Sequence, residues 1–189
     1  ALEAAVAYAV SKDVLVVAAA GNEGVNSLPS YPAAYPQVLA VASIDKNLAV
    51  SGFSSRGAYV DVAGPGGSIT STYLNNSYAT LSGTSMASPH VAAAAALLRS
   101  AFPNASAATI KSALENSAYD LAPAGPDTSS GLGLIQADAA FALLLAAGYN
   151  NHANHNRPNY YWPNYHRTSH YGPNYRRTNH DHSANYYSC

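Results

Sequence analysis

Cysteine is almost missing from this chain. Cys189, the last residue, is the only one, so no internal disulfide can form and the redox compartment cannot be read from cysteine pairing. Charge is scarce as well: Lys plus Arg number 9 and Asp plus Glu 10, a balance that excludes nucleic-acid binding driven by bulk electrostatics. No apolar run approaches the ~20 residues that cross a bilayer; the longest candidate, 141–147, falls far short, so no membrane span is expected. Histidine is confined: His90 stands alone before residue 151, and the rest follow it near the C-terminus. The chain opens with neither Met nor a leader pattern, which points to a processed product, a fragment or an incomplete sequence.

Small residues dominate what is present. Gly83-Thr84-Ser85-Met86-Ala87-Ser88-Pro89 runs straight into the apolar stretch His90 to Leu98. A small-residue turn there delivers Ser85 to the start of a helix, where unpaired N–H groups and the positive end of the helix dipole favour developing negative charge. Pro89 suits the first turn of that helix, where its missing N–H costs nothing. A serine so placed is also an ordinary N-cap, and both readings stand on these residues alone.

The longer string, Gly83-Thr84-Ser85-Met86-Ala87-Ser88-Pro89-His90-Val91-Ala92, resembles the nucleophile signature of the subtilisin-like serine proteases. Val16-Val17-Ala18-Ala19-Ala20-Gly21-Asn22 is similar to the strand and loop that carry that family's oxyanion-hole asparagine. Tyr31-Pro32-Ala33-Ala34-Tyr35-Pro36, Phe53-Ser54-Ser55-Arg56-Gly57, Val60-Asp61-Val62-Ala63-Gly64-Pro65-Gly66 and Gly131-Leu132-Gly133-Leu134-Ile135 follow in the family's order. The resemblance runs from Ala1 to Ala147. Ala93 departs from it, since the family usually places Gly there.

The resemblance implies a serine endopeptidase of broad specificity, secreted or in the secretory pathway, acting on peptide or protein substrates. Ser85 would be the nucleophile. The Asn22 side-chain amide and the Ser85 backbone N–H would hold the oxyanion, although Asn next to Gly is more commonly a plain turn residue. Ala19, Ala20, Gly21, Ser30 and Ala33 would line a roomy apolar specificity pocket, with Glu23 at its rim favouring a basic or polar side chain. The family's Asp and His motifs lie upstream of the asparagine and are not in this sequence, so the chain alone is expected to be inactive: an unpartnered serine is an unactivated alcohol. His90 follows Ser85 by five positions and points away from it on a helix. The carbonyls of Ala33, Tyr35 and Val38, with Asp61, match a family site for a weakly bound calcium or monovalent cation; Asp61 is equally well a surface cap or ion-pair partner. No organic cofactor is implied. The alternative is a non-catalytic subtilase remnant serving as a structural or interaction module.

Patterning agrees with an α/β fold: three layers about a mainly parallel sheet, lacking its N-terminal strands, over residues 1–148. Helices are expected over 1–10, 89–101, 106–117 and 136–147, and strands over 14–19, 38–44 and 60–63, with a short strand or turn at 131–135. The 89–101 helix is apolar on nearly every side and so is expected to be buried throughout. The 106–117 helix presents Ile110, Ala113 and Leu114 on one face and pairs Lys111 with Glu115 at i, i+4. A sheet short of its first strands leaves an unpaired edge, so the upstream half of the domain is the expected partner.

Residues 149–189 are a different material. Asn, His, Tyr, Arg, Pro and Ser dominate, and Pro163-Asn164-Tyr165-His166-Arg167-Thr168 is echoed by Pro173-Asn174-Tyr175-Arg176-Arg177-Thr178. Such a segment buries too little apolar surface to offset ordering entropy, so disorder is expected. Transition-metal binding through the histidines, stacking by Tyr and Arg on another polymer, and a plain flexible extension remain open for it. Asn75-Asn76-Ser77 and Asn104-Ala105-Ser106 are sequons.

Overall fold

Residues 1–149 are described by a computed structural model of the chain; the proposed tail beyond them, with Cys189 and the clustered histidines, lies outside the described residues. The elements are helix α1 (Leu2–Ser11), strand β1 (Val17–Ala19), a single 3-10 turn at Gly24–Asn26, strands β2 (Leu39–Ile44), β3 (Val62–Pro65), β4 (Ile69–Tyr73) and β5 (Ser77–Leu81), and helices α2 (Thr84–Ala101), α3 (Ala107–Asn116) and α4 (Ala137–Ala146). Strands β1, β2 and β3 form a parallel sheet in that order, with Val17 opposite Leu39 and Val41 opposite Val62. This is the expected α/β arrangement with a mainly parallel sheet.

Alternation within β2 explains its uniformly apolar sequence. Leu39 and Val41, with Val62, face α2, α3 and α4 in one core. Ala42 and Ile44, with Ala63, face Ala20, Val60 and Leu121 in a second core. A strand covered on both faces cannot alternate polar with apolar residues. β1 is only half buried and pairs on one side alone, the unpaired edge expected among the described residues.

Helix α2 departs from expectation in two ways. It begins a turn earlier, at Thr84, so Ser85 and Met86 lie inside the helix and Pro89 falls in its second turn rather than its first. The chain tolerates this because Pro89 forfeits only the bond to the Ser85 carbonyl. Nor is α2 buried on every side. Ala87, Val91, Ala94, Ala95 and Leu98 are buried, but Ala92, Ala93, Ala96 and Leu97 are exposed, because no described element packs on that face. The close approach on the packed side needs Gly64: a Cβ there would meet the Ala87 carbonyl at 3.1 Å and Val91 at 3.2 Å.

Helix α3 follows the sequence closely. The Ser106 hydroxyl accepts from the Thr109 N–H as its N-cap, and Ile110, Ala113 and Leu114 are buried. Asp13, at the end of α1, ties three helices together by accepting from Arg99 of α2 at 2.6 Å and from the Ala107 N–H of α3 at 2.7 Å. The β4–β5 hairpin was not expected from the sequence. Its tip is the three-residue connection 74–76 between the paired Tyr73 and Ser77, in which Asn75 and Asn76 both take positive φ.

Leu114 is fully buried in the first core, so Leu114→Ala should lower the unfolding free energy by about 2–5 kcal/mol, read from urea denaturation. A pH effect follows from Asp127. Burial acts to raise its pKa, but bonds from the Ser130 hydroxyl and the Ser129 and Ser130 N–H groups outweigh that and hold it below the usual 3.8. Its stabilisation is therefore complete above the unfolded pKa and is lost as pH falls through the lower folded value. In acid titrations followed by circular dichroism, Asp127→Ala should be less stable than the parent at neutral pH, with the gap closing below about pH 3.8.

Candidate active site

Ser85 stands exposed in the first turn of α2. Its backbone N–H belongs to the set that a helix start leaves without an i−4 acceptor. Gly83 before it has extended backbone. Its N–H donates to the Gly66 carbonyl at 2.9 Å, and its carbonyl accepts from the N–H groups of Met86 and Ala87. Gly66 must itself be glycine, since a Cβ would strike the Ser43 hydroxyl and the Gly83 carbonyl. Two glycines back to back thus set where Ser85 emerges.

Asn22 is brought to this turn from the end of β1. Its side-chain oxygen accepts from the Thr84 N–H at 2.9 Å and from the Thr84 hydroxyl at 3.0 Å. With the oxygen so engaged, the side-chain NH₂ is the free end of the amide, with no hydrogen-bond partner among the described residues. That amide packs against Gly83, whose added Cβ would lie 3.6 Å from the Asn22 nitrogen. Thr84 is wholly buried. Its hydroxyl also accepts from the Gly21 N–H and reaches the Gly21 carbonyl, both at 3.2 Å. Ser85 and Asn22 are therefore gathered by one residue to which the sequence reading gave no role, although it sits in the middle of the motif.

The other expected substrate-contact residues divide into two groups. Ala19 ends β1 half-buried, and Ala20 is buried with its carbonyl taken by the Tyr59 hydroxyl at 2.8 Å. Gly21 has φ +114°, backbone that side-chain-bearing residues rarely adopt. Glu23 is exposed, yet its carboxylate is anchored: the buried Ser55 hydroxyl donates to it at 2.6 Å and accepts from the Glu23 N–H at 3.1 Å. Ser55 is a second residue the sequence reading passed over. Ser30 and Ala33 lie in the separate turn before β2, where the Ser30 carbonyl accepts from the Ala34 N–H and Ala33 is buried.

Three of the four residues matched to a cation site are otherwise engaged. The Tyr35 carbonyl accepts from the Val38 N–H at 3.0 Å. The Val38 carbonyl accepts from the Lys111 ammonium at 2.9 Å, and Asp61 accepts from that ammonium at 3.2 Å and from the Ala40 N–H at 2.8 Å. Among the described residues no cluster of three or more His, Cys, Asp or Glu side chains is poised to hold a metal. His90 turns onto its own helix, its Nδ1 2.8 Å from the Met86 carbonyl oxygen. Two hollows of the described surface lie away from Ser85: one of about 270 Å³ beside Asp13, Val17 and Arg99, and one of about 290 Å³ beside Asp61 and Asp127.

Comparison with known proteins identifies the family. The Subtilase family model matches residues 1–133. The chain belongs to the subtilase family. Subtilisin BL of Lederbergia lenta is 47% identical over 139 residues, which make up 74% of this chain and 50% of that protein. Thermitase of Thermoactinomyces vulgaris is 52% identical over 124 residues, 66% of this chain and 43% of that protein. Among solved structures, the prenylagaramide maturation protease PagA superposes with a TM-score of 0.68 at 33% identity, covering 75% of this chain and 54% of that one. The psychrophilic subtilisin-like protease Apa1 of Pseudoalteromonas sp. AS-11 shares the fold, with a TM-score of 0.71 at 21% identity over 78% of this chain and 68% of that one. This subtilase chain spans about half the length of the curated relatives it matches. No helix among the described residues is long and apolar enough to cross a membrane.

The Thr84 hydroxyl is the test of the gathering role. Thr84→Val leaves the Gly21 N–H without its acceptor and removes a donor from Asn22, and should cost about 1–3 kcal/mol. Urea unfolding monitored by fluorescence would read this; an unchanged midpoint would mean that the hydroxyl holds nothing together.

Proposed function

We propose that this chain is the nucleophile-bearing part of a serine endopeptidase, with Ser85 as the attacking group. The observation that carries the reading is the Asn22 amide. Its oxygen is tied to Thr84, which leaves its NH₂ as a donor beside the turn that presents Ser85. A peptide carbonyl attacked by Ser85 Oγ develops negative charge on its oxygen. The Asn22 NH₂ and the Ser85 N–H are donors available to that charge, and fixed donors of this kind lower the barrier without reorganising during the reaction. The serine proton must pass to a base. We place that histidine, and the aspartate that orients it, in a portion of a longer protein outside this sequence; the coverage of about half of each relative supports this.

On this reading Ala19, Ala20, Gly21, Glu23, Ser30 and Ala33 form one side of a specificity pocket whose other walls come from upstream, and the edge of β1 and the exposed face of α2 receive that half. Substrates are peptides or proteins. Glu23, held by Ser55, favours a basic or polar side chain at the rim. Secretion is part of the proposal, supported by a relative named minor extracellular protease Epr of Bacillus subtilis, 42% identical over 151 residues. The competing reading, a non-catalytic remnant, shares the fold and predicts no activated serine.

A fluorophosphonate probe applied to the full-length protein separates the two, because it phosphonylates, with loss of fluoride, only a serine activated by its base. Modification at Ser85, mapped by mass spectrometry and lost in Ser85→Ala together with peptide hydrolysis, is the expected result. A folded protein that resists the probe is the remnant. In the enzyme, Asn22→Leu should lower kcat by roughly 10²–10³ with little change in KM, a magnitude taken from an oxyanion asparagine of a subtilisin itself.

A further inference from the structure

The cation site suggested by sequence resemblance does not fit its donors in this chain. A metal bound by the carbonyls of Ala33, Tyr35 and Val38 with Asp61 needs those oxygens free to turn toward it. Here the Tyr35 carbonyl is engaged by the Val38 N–H, and the Val38 carbonyl and Asp61 carboxylate both accept from Lys111 Nζ, at 2.9 and 3.2 Å. Glu115, one helical turn along α3, lies 3.5 Å from the same nitrogen. An ammonium has three protons, and three oxygens surround this one. Lys111 is largely buried, its side chain 19% exposed. A metal ion added to the same oxygens would sit against a fixed positive charge and would have to displace it.

We propose that the Lys111 ammonium is the resident cation of this subtilase, tethered by its own side chain and replacing a dissociable metal at the mouth of β2 and β3. It does the mechanical work such an ion would do. Val38 leads into β2, Asp61 leads into β3 and bonds the Ala40 N–H across the gap, and Lys111 belongs to α3. One charge thus joins two strand entries to the helix packed over them. A tethered cation is present at unit occupancy whatever the salt, whereas a weak metal site empties when its ion is diluted.

The test uses the full-length protein, with calcium and rubidium binding measured by equilibrium dialysis against radioactive ions at constant ionic strength set by choline chloride. Wild type and Asp61→Asn should bind the same number of each ion. Lys111→Met should bind one further ion per chain, lost again in the Lys111→Met/Asp61→Asn double variant, and its thermal midpoint should rise when calcium or rubidium replaces choline. A wild-type ion that disappears in Asp61→Asn would overturn the proposal. So would a folded Lys111→Met protein that gains no ion. If Lys111→Met does not fold, the comparison of wild type with Asp61→Asn decides alone. None of these readings depends on whether Ser85 reacts.

Discussion

One buried hydroxyl holds the candidate active site in place. Thr84 opens α2 and binds it to the loop leaving β1: it bonds Gly21 and Asn22 through Oγ1 and Asn22 again through its N–H. Its burial makes those bonds matter, because each would leave an unsatisfied polar group in a water-free place if broken. The orientation of the Asn22 amide follows from it. A side-chain amide in solvent turns freely and offers either end; an amide whose oxygen is committed offers only its nitrogen.

The small residues around this point serve the same end. Gly64 lets α2 lie directly on β3, Gly66 lets the chain turn against Ser43, and Gly21 takes a backbone angle closed to larger residues. Gly64 and Gly66 bring backbone close to backbone, and Gly21 leaves room for the Glu23 and Ser55 side chains to close over it. The alanines of β1 and α2 extend this closeness along the sheet. Apolar bulk is kept for the core that the sheet shares with α2, α3 and α4, where Phe102, Ile110, Leu114 and Leu144 pack and packing density matters more than proximity.

Much of this was legible in the sequence, for physical reasons that differ by element. Helix α3 could be read because its cap, its apolar face and its Lys111–Glu115 spacing are all local. β2 could be read because a strand covered on both faces is a short continuous apolar run. The extra turn of α2 was hidden: Pro89 signals a first turn, and only the Gly83 backbone, set by its contact with Gly66, moves the start back to Thr84. The outer face of α2 was misread because composition does not tell which partner is present. The β4–β5 hairpin was missed because Asn75-Asn76 reads equally as a sequon and as a turn. At the site, Ser85 and Asn22 were visible through their motifs. Ser55 and Lys111 were not, since what each of them does depends on a residue far away in the chain.

The bond between Gly83 and Gly66 closes a loop. Everything from residue 67 to residue 82, hairpin included, leaves and returns beside that clasp, which the Ser68 N–H reinforces by donating to the Ser82 hydroxyl at 2.8 Å, and among the described residues β4 and β5 pair only with each other. The hairpin is mechanically an appendage, and closing a longer loop costs only slowly growing entropy. Its length and tip are therefore free to drift in evolution, or to accept an inserted segment, while the serine a few residues downstream keeps its position. An arm has been hung beside the serine without being built into the sheet that carries it.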